Sequence, residues 1–116
     1  MPLRTGKQYL QSLQDDRQVY MLGKRVDDVT TDPVIGVAAE HSAQEFDLSL
    51  KDELNDLVQT TLEPGGDSIS RYYHVPRTPD DLLKRRELIE YGTELGRSMP
   101  TFIKAIGSDC LNALHV

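Results

Sequence analysis

Apolar positions along this chain recur at helical spacing in several short stretches, broken by two segments where the period changes. Thr5 stands three residues before Gln8, the spacing of a capping box, and Tyr9, Leu10 and Leu13 then fall on one helical face. This predicts a short first helix. Between residues 17 and 29 the pattern approaches alternation. Val19, Met21 and Val26 flank Leu22-Gly23-Lys24, which predicts two short strands joined by a tight turn. Asp32-Pro33 then offers an N-cap and a first-turn proline ahead of Val34, Ile35, Val37, Ala38, Ala39 and Phe46, so a second helix is expected to end near Asp47. Ser49 with Asp52 repeats the capping logic, and Leu50, Leu54, Leu57 and Val58 predict a third helix ending near Thr61.

Glu63-Pro64-Gly65-Gly66-Asp67-Ser68 is a turn by composition, because proline fixes one torsion and glycine tolerates positive φ. Residues 69–75 read as extended. Thr78-Pro79-Asp80-Asp81 is the clearest helix start, with a capping hydroxyl, an initial proline and two acids at the positive helix end. That helix is expected to reach about Ser98, with Leu88, Tyr91 and Leu95 as its apolar stripe and Arg85, Arg86, Glu87 and Glu90 as a solvated opposite side. Pro100 begins a last helix in which Phe102, Ile103, Ile106, Cys110 and Leu114 share a face. No stop signal follows at Leu114-His115-Val116, so this helix is expected to be cut short. The fold class expected is mainly α, one helical domain over residues 1–116 with a small β-hairpin and a short extended segment.

Composition narrows the function classes. With 116 residues and 38% apolar residues, one modest domain is expected. A formal charge of −6 argues against nucleic acid or an anionic membrane as partner. No stretch approaches the roughly 18 apolar residues of a membrane span, and the first residues lack a signal-type apolar run, so a cytoplasmic protein is expected. His41, His74 and His115 are far apart and lack companions at ligand spacing, so surface or core histidines are expected rather than a metal site. The single cysteine, Cys110, sits on an apolar helical face and reads as a small core residue. Gly65-Gly66 lacks a phosphate-loop fingerprint and reads as a turn. Arg71-Tyr72-Tyr73-His74 could grip a planar or anionic ligand, although a half-buried strand uses the same residues. Gly107, inside a helix, suggests the close approach of another helix or of a bound group.

Several ordered blocks resemble one family. They are Leu3-Arg4-Thr5-Gly6-Lys7-Gln8-Tyr9-Leu10, Val19-Tyr20, Gly23-Lys24-Arg25-Val26, Asp28-Val29-Thr30-Thr31-Asp32-Pro33, Ser70-Arg71, Pro76-Arg77-Thr78-Pro79-Asp80-Asp81-Leu82 and Arg85-Arg86 with Ile89-Glu90. Together they are similar to the N-terminal part of the 4-hydroxyphenylacetate 3-hydroxylases and, more distantly, of the 4-hydroxybutyryl-CoA dehydratases. The resemblance implies the N-terminal helical domain of an acyl-CoA dehydrogenase-like fold, whose middle β-domain and C-terminal flavin-binding bundle have no counterpart here. It also implies a reaction: reduced FAD from a separate reductase, oxygen, and hydroxylation of a small aromatic substrate beside an existing phenol. FAD belongs to the full-length family, and none is expected on this chain alone.

Family motifs give one substrate-binding candidate. Gly96-Arg97-Ser98 matches the start of a Gly-Arg-Ser-Pro-Asp-Tyr type motif whose arginine and tyrosine contact the substrate, whereas Met99-Pro100-Thr101-Phe102 departs from it. The resemblance therefore carries over Arg97 alone, against the plainer reading of a cation at a helix end. Near residues 101–113 the dehydratases are similar instead, but Thr101 and Ala105 stand where two cysteines hold an iron–sulfur cluster, and neither side chain can replace a thiolate. No catalytic, cofactor-binding or metal residue is assigned. The expected partners are the remaining family domains or a second copy of the chain. The alternatives are a stand-alone remnant that binds a small molecule or partner protein, and a cluster-free relative of the dehydratases.

Overall fold

The computed structural model describes residues 3–97 and 102–114, the side chains of residues 102 and 103 excepted. α1 (Gly6–Gln11) is closed at its start by the expected capping box: the Gln8 amide donates to Thr5 Oγ1 at 3.3 Å, and Gln8 Oε1 accepts from the Thr5 amide at 2.9 Å. β1 (Val19–Met21) and β2 (Lys24–Val26) pair antiparallel with Val19 opposite Val26. Their two-residue loop places Leu22 at φ 51° and Gly23 at φ 77°, the double positive-φ geometry that follows the twist of a hairpin. α2 (Ile35–Asp47) begins two residues later than Pro33, yet Asp32 still caps it, with Oδ1 accepting from the Val34 and Ile35 amides at 2.9 Å each.

The third helix does not form as expected. Residues 48–50 and 52–54 make two 3₁₀ turns separated by an extended Lys51 (φ −96°, ψ 109°), and only α3 (Asn55–Val58) is α-helical. Ser49 is no N-cap, since its hydroxyl donates back to the Phe46 carbonyl at 2.9 Å. Lys51 is drawn sideways instead, its Nζ donating to Tyr91 Oη at 3.3 Å. The chain then enters β3 (Gln59–Thr61), where β-branched Thr60 and Thr61 suit a strand. β3 pairs antiparallel with β4 (Ser68–Ser70) around the Pro64-Gly65-Gly66 turn, in which Gly65 takes φ 78°.

The extended segment also stops early, because residues 71–73 wind into a 3₁₀ turn. α4 (Pro79–Leu95) follows, and Thr78 and Asp81 form a reciprocal capping box at its start. It ends before Ser98, with the Gly96 amide donating to the Gly92 carbonyl at 3.0 Å. α5 (Phe102–Ala113) completes the chain. The expected start at Pro100, the departure of residues 98–101 from the hydroxylase motif, the apolar roles of Phe102 and Ile103, and the final residues 115–116 lie outside the described residues.

Leu48, Val58, Tyr72, Leu88 and Ala105 form the buried core, with Leu3, Leu54, Leu57, Ile89, Tyr91 and Leu95 packed around it. The core therefore sits where α4 and α5 meet the irregular segment 48–73, and the α4 stripe lies as expected. α1 and α2 pack as a second layer, with Tyr9 stacked on Phe46 at 4.7 Å between ring centroids. The radius of gyration is 15.8 Å and the extents are 48 × 28 × 28 Å, against about 13 Å for a compact 100-residue domain. Such an elongated shape leaves apolar groups uncovered, among them Leu62, Ile106, Leu111 and Leu114.

A buried guanidinium between helices and an apolar cavity

Three arginines singled out in the sequence have different fates. Arg97 lies just beyond the last turn of α4, exposed and with φ 50°, and its amide donates to the Glu94 carbonyl at 3.0 Å. Left-handed geometry there ends the helical path of α4. Arg85 does not lie on a solvated face. It is 8% exposed, because its guanidinium fills the seam between α4 and α5. Nη1 donates to the Tyr72 carbonyl at 3.2 Å, and Nη2 donates to the Ala105 carbonyl at 3.3 Å, to Ser108 Oγ at 2.9 Å and to Asp109 Oδ1. Only a planar fork of donors can address so many acceptors from one position. Arg71 is neither a strand residue nor a ligand grip: it donates to the carbonyls of Asp56 (2.7 Å), Leu57 (2.9 Å) and Gln59 (3.3 Å), tying off the end of α3.

α5 docks through its small residues. Ala105 and Ser108 are buried against Arg85, while Ile106 and Cys110 are exposed, so Cys110 is not a core residue. Gly107 admits no close neighbour either, since a Cβ built there meets nothing within 4 Å. Of the predicted apolar row, Ile106, Cys110 and Leu114 are exposed, while the small residues Ala105 and Ser108 meet the guanidinium. His74 approaches Asp81 with Nδ1 3.9 Å from Oδ1, and no cluster of metal-ligating groups occurs among the described residues.

A cavity of about 280 Å³ opens between α2, β4 and α5, and sequence reasoning missed it. Leu3, Phe46, Val58 and Ile69 supply apolar wall, and Arg4 and Tyr73 border it. Glu45 lines it while only 4% exposed, and its Oε1 has no hydrogen-bond partner among the described residues. Burial pushes the Glu45 carboxyl above its ordinary range, an effect opposed by the Lys104 charge and by a hydrogen bond from Tyr72. The Lys104 ammonium is pushed down by the same burial and held up by Glu45. Its Nζ lies 3.6 Å from the centroid of the Phe46 ring. Tyr72 in turn is held well above the usual phenol range by its own burial and by the Glu45 charge. Glu45 lies 59 positions before Lys104 and on a different helix, so no local spacing could have disclosed the pair.

The flavin that the family resemblance implies does not fit the described residues. The larger groove, about 470 Å³ beside the β1–β2 hairpin, is lined by Asp15, Asp27 and Asp28, and its Arg17 is already engaged by Asp15 at 2.7 Å. A pyrophosphate would be repelled there. The 280 Å³ cavity lies below the roughly 300–1,000 Å³ of ordinary ligand pockets and is too small for a dinucleotide.

Residues 5–116 match the sequence profile described as 4-hydroxyphenylacetate 3-hydroxylase N terminal. The chain is 40% identical over 89 residues to the oxygenase component of a 4-nitrophenol 4-monooxygenase/4-nitrocatechol 2-monooxygenase from Rhodococcus opacus, covering 77% of this chain and 17% of that protein. Among solved structures, an oxygen-tolerant archaeal 4-hydroxybutyryl-CoA dehydratase from N. maritimus superposes with a TM-score of 0.79 at 27% identity, over 97% of this chain and 22% of the other. A mutant of HpaB complexed with FAD superposes with a TM-score of 0.68 at 25% identity, over 76% of this chain and 18% of the other. The chain thus spans about a sixth to a quarter of the length of the relatives it matches. Its capped helices, its hairpin and its arginine-clamped α4–α5 seam make up the N-terminal helical part of the 4-hydroxyphenylacetate 3-hydroxylase family, to which this chain belongs.

Proposed function

We propose that this chain acts as the N-terminal helical domain of a cytoplasmic, FADH2-using aromatic hydroxylase, contributing to the substrate side of a site completed by flavin-binding parts. The supporting observation is the ordered match of residues 5–116 to the N-terminal profile of these enzymes. In this reading the exposed row Ile106, Leu111 and Leu114 is covered by the remaining parts of the enzyme or by a second copy. Flavin, when bound by those parts, supplies the oxidative chemistry. The chain's own contribution is positional: Arg97, at the end of the capped α4, presents a guanidinium able to pair with a phenolate or carboxylate of a small aromatic substrate. The chain alone neither holds flavin nor hydroxylates.

A chimera tests this. Residues 1–116 replace the matching part of the Rhodococcus opacus oxygenase component, and 4-nitrophenol turnover is followed with reduced FAD and oxygen. Turnover above the free-flavin background is expected, while Arg97→Lys and Arg97→Ala each weaken 4-nitrophenol binding at least tenfold, because lysine lacks the planar fork. Undiminished binding by Arg97→Lys removes the substrate role of Arg97. A folded, flavin-loaded chimera that never turns over removes the hydroxylase reading.

One observation favours the dehydratase side of the family as a second reading: the archaeal dehydratase superposes over 97% of this chain, including α5. With Thr101 and Ala105 in place of cluster cysteines, such a relative would act on acyl-CoA thioesters without an iron–sulfur cluster. Saturable binding of butyryl-CoA by the completed protein, with no binding of 4-nitrophenol, would select it.

A further inference from the structure

We infer that the cavity between α2, β4 and α5 is a binding site for a small neutral molecule with an apolar body and one hydroxyl or amide N–H donor, received by Glu45 Oε1. Burial and partner geometry carry this independently of the hydroxylase reading. Glu45 is 4% exposed, and its Oε1 is buried and unpartnered while lining a cavity whose walls include Leu3, Val58 and Ile69. Buried carboxylate oxygens are nearly always hydrogen-bonded, so an orphan acceptor on a residue that lines a cavity points to a donor supplied by a guest in that cavity, for which the carboxylate turns slightly outward. Size limits the guest. At about 280 Å³ the cavity suits a single ring with a short substituent rather than an extended ligand.

Charge limits it further. Lys104 and Glu45 sit at the same cavity and carry opposite charges, each favouring the charged form of the other, so the pair is already balanced without an ionic guest. A cation entering would meet Lys104 and Arg4, and an anion would meet Glu45. A neutral donor meets neither penalty. Neither face of the Phe46 ring is open to stack on the guest, because Tyr9 stacks on that ring and Lys104 lies close over it. Recognition therefore rests on the carboxylate and on aliphatic contact.

The test uses the 116-residue protein with three probes of one size: benzyl alcohol, toluene and benzoate. Isotope-edited NMR follows the Val58 and Ile69 methyl groups during titration. Benzyl alcohol is expected to bind at least tenfold more tightly than toluene and benzoate, with intermolecular NOEs to both methyl-bearing residues. Glu45→Leu is expected to erase the advantage of benzyl alcohol while toluene still binds. If Glu45→Leu does not fold, the probe ranking and NOEs of the unaltered protein still decide. Equal affinity for benzyl alcohol and toluene, NOEs that place the alcohol elsewhere, or a slowly exchanging water as the only guest would overturn the inference.

Discussion

Replacing Arg85 should undock α5 from α4, and the structure sets the size of the effect. The guanidinium is buried and serves two backbone carbonyls, Tyr72 and Ala105, together with Ser108 Oγ, itself fully buried. Its ion pair with Asp109 contributes less, because that carboxylate is 70% exposed and screened by water. Breaking a fully buried pair costs about 3–5 kcal/mol. Discounting Asp109 leaves about 2–4 kcal/mol for Arg85→Ala, carried by the vacated volume and by the guanidinium donors lost to the Tyr72 carbonyl and to the Ala105–Ser108 pair, which keeps its own hydrogen bond. For a chain of this length about 1 kcal/mol shifts Tm by roughly 4 °C, so a loss of about 8–16 °C is expected. Arg85→Lys should still cost at least about 1 kcal/mol, since one ammonium cannot span the same acceptors. Asp109→Asn should stay within about 0.5 kcal/mol. Urea denaturation followed by circular dichroism gives the three values, and hydrogen exchange should find protection in α5 lost before that in α2. A lysine variant as stable as the parent, or an Asp109→Asn cost equal to that of Arg85→Ala, would refute the account.

Three further outcomes are expected. Burial raises the Glu45 pKa above its ordinary 4.5, so the folded state holds the proton more tightly than the unfolded state. The stability this contributes is full below the ordinary value and is lost as pH rises through the folded one. The stability of the parent relative to Glu45→Gln should therefore fall as pH rises above the ordinary carboxyl value, with contributions from Asp81 and other unaltered acids cancelling in the difference; a flat difference would sink this. Gly6→Ala should cost about 1–3 kcal/mol by urea denaturation, because a Cβ there would lie 2.6 Å from both the Ala43 carbonyl oxygen and Asp47 Oδ2, forcing α1 off α2. Cys110, exposed on α5, should react stoichiometrically with a thiol reagent in the native protein, and protection equal to that of a buried thiol would contradict its placement.

What the sequence made legible is what is local. The capping boxes at Thr5 and Thr78 and the Leu22-Gly23 turn each depend on residues within four positions and form where expected, while Asp32 still accepts from the Val34 and Ile35 amides although α2 starts two residues past Pro33. The third helix failed for the opposite reason. Leu50, Leu54, Leu57 and Val58 have helical spacing, but Lys51 is extended and reaches Tyr91, 40 residues away, while Leu50 remains exposed. Tertiary demand overrode a period that was real but short. The apolar face of α5 misled in the same way, because periodicity reports that a helix has two unlike faces but not which of them meets the rest of the chain.

The arginines make the point about function sharpest. The sequence allows a ligand grip at Arg71 and predicts a solvated Arg85, yet both guanidinium groups are occupied by backbone carbonyls. Their positive charge is therefore committed to holding irregular segments together, which a small core of seven buried apolar residues among those described cannot do alone. Arg97 differs from both: it is exposed, its backbone is held at φ 50°, and its amide is tied to α4. An exposed guanidinium on a held main chain is what the substrate role proposed for Arg97 requires. Glu45 is its counterpart on the inside, a cavity-lining residue whose Oε1 lacks a partner among the described residues. These two groups, one at the chain's outer edge and one within its second layer, are where chemistry beyond folding can be sought.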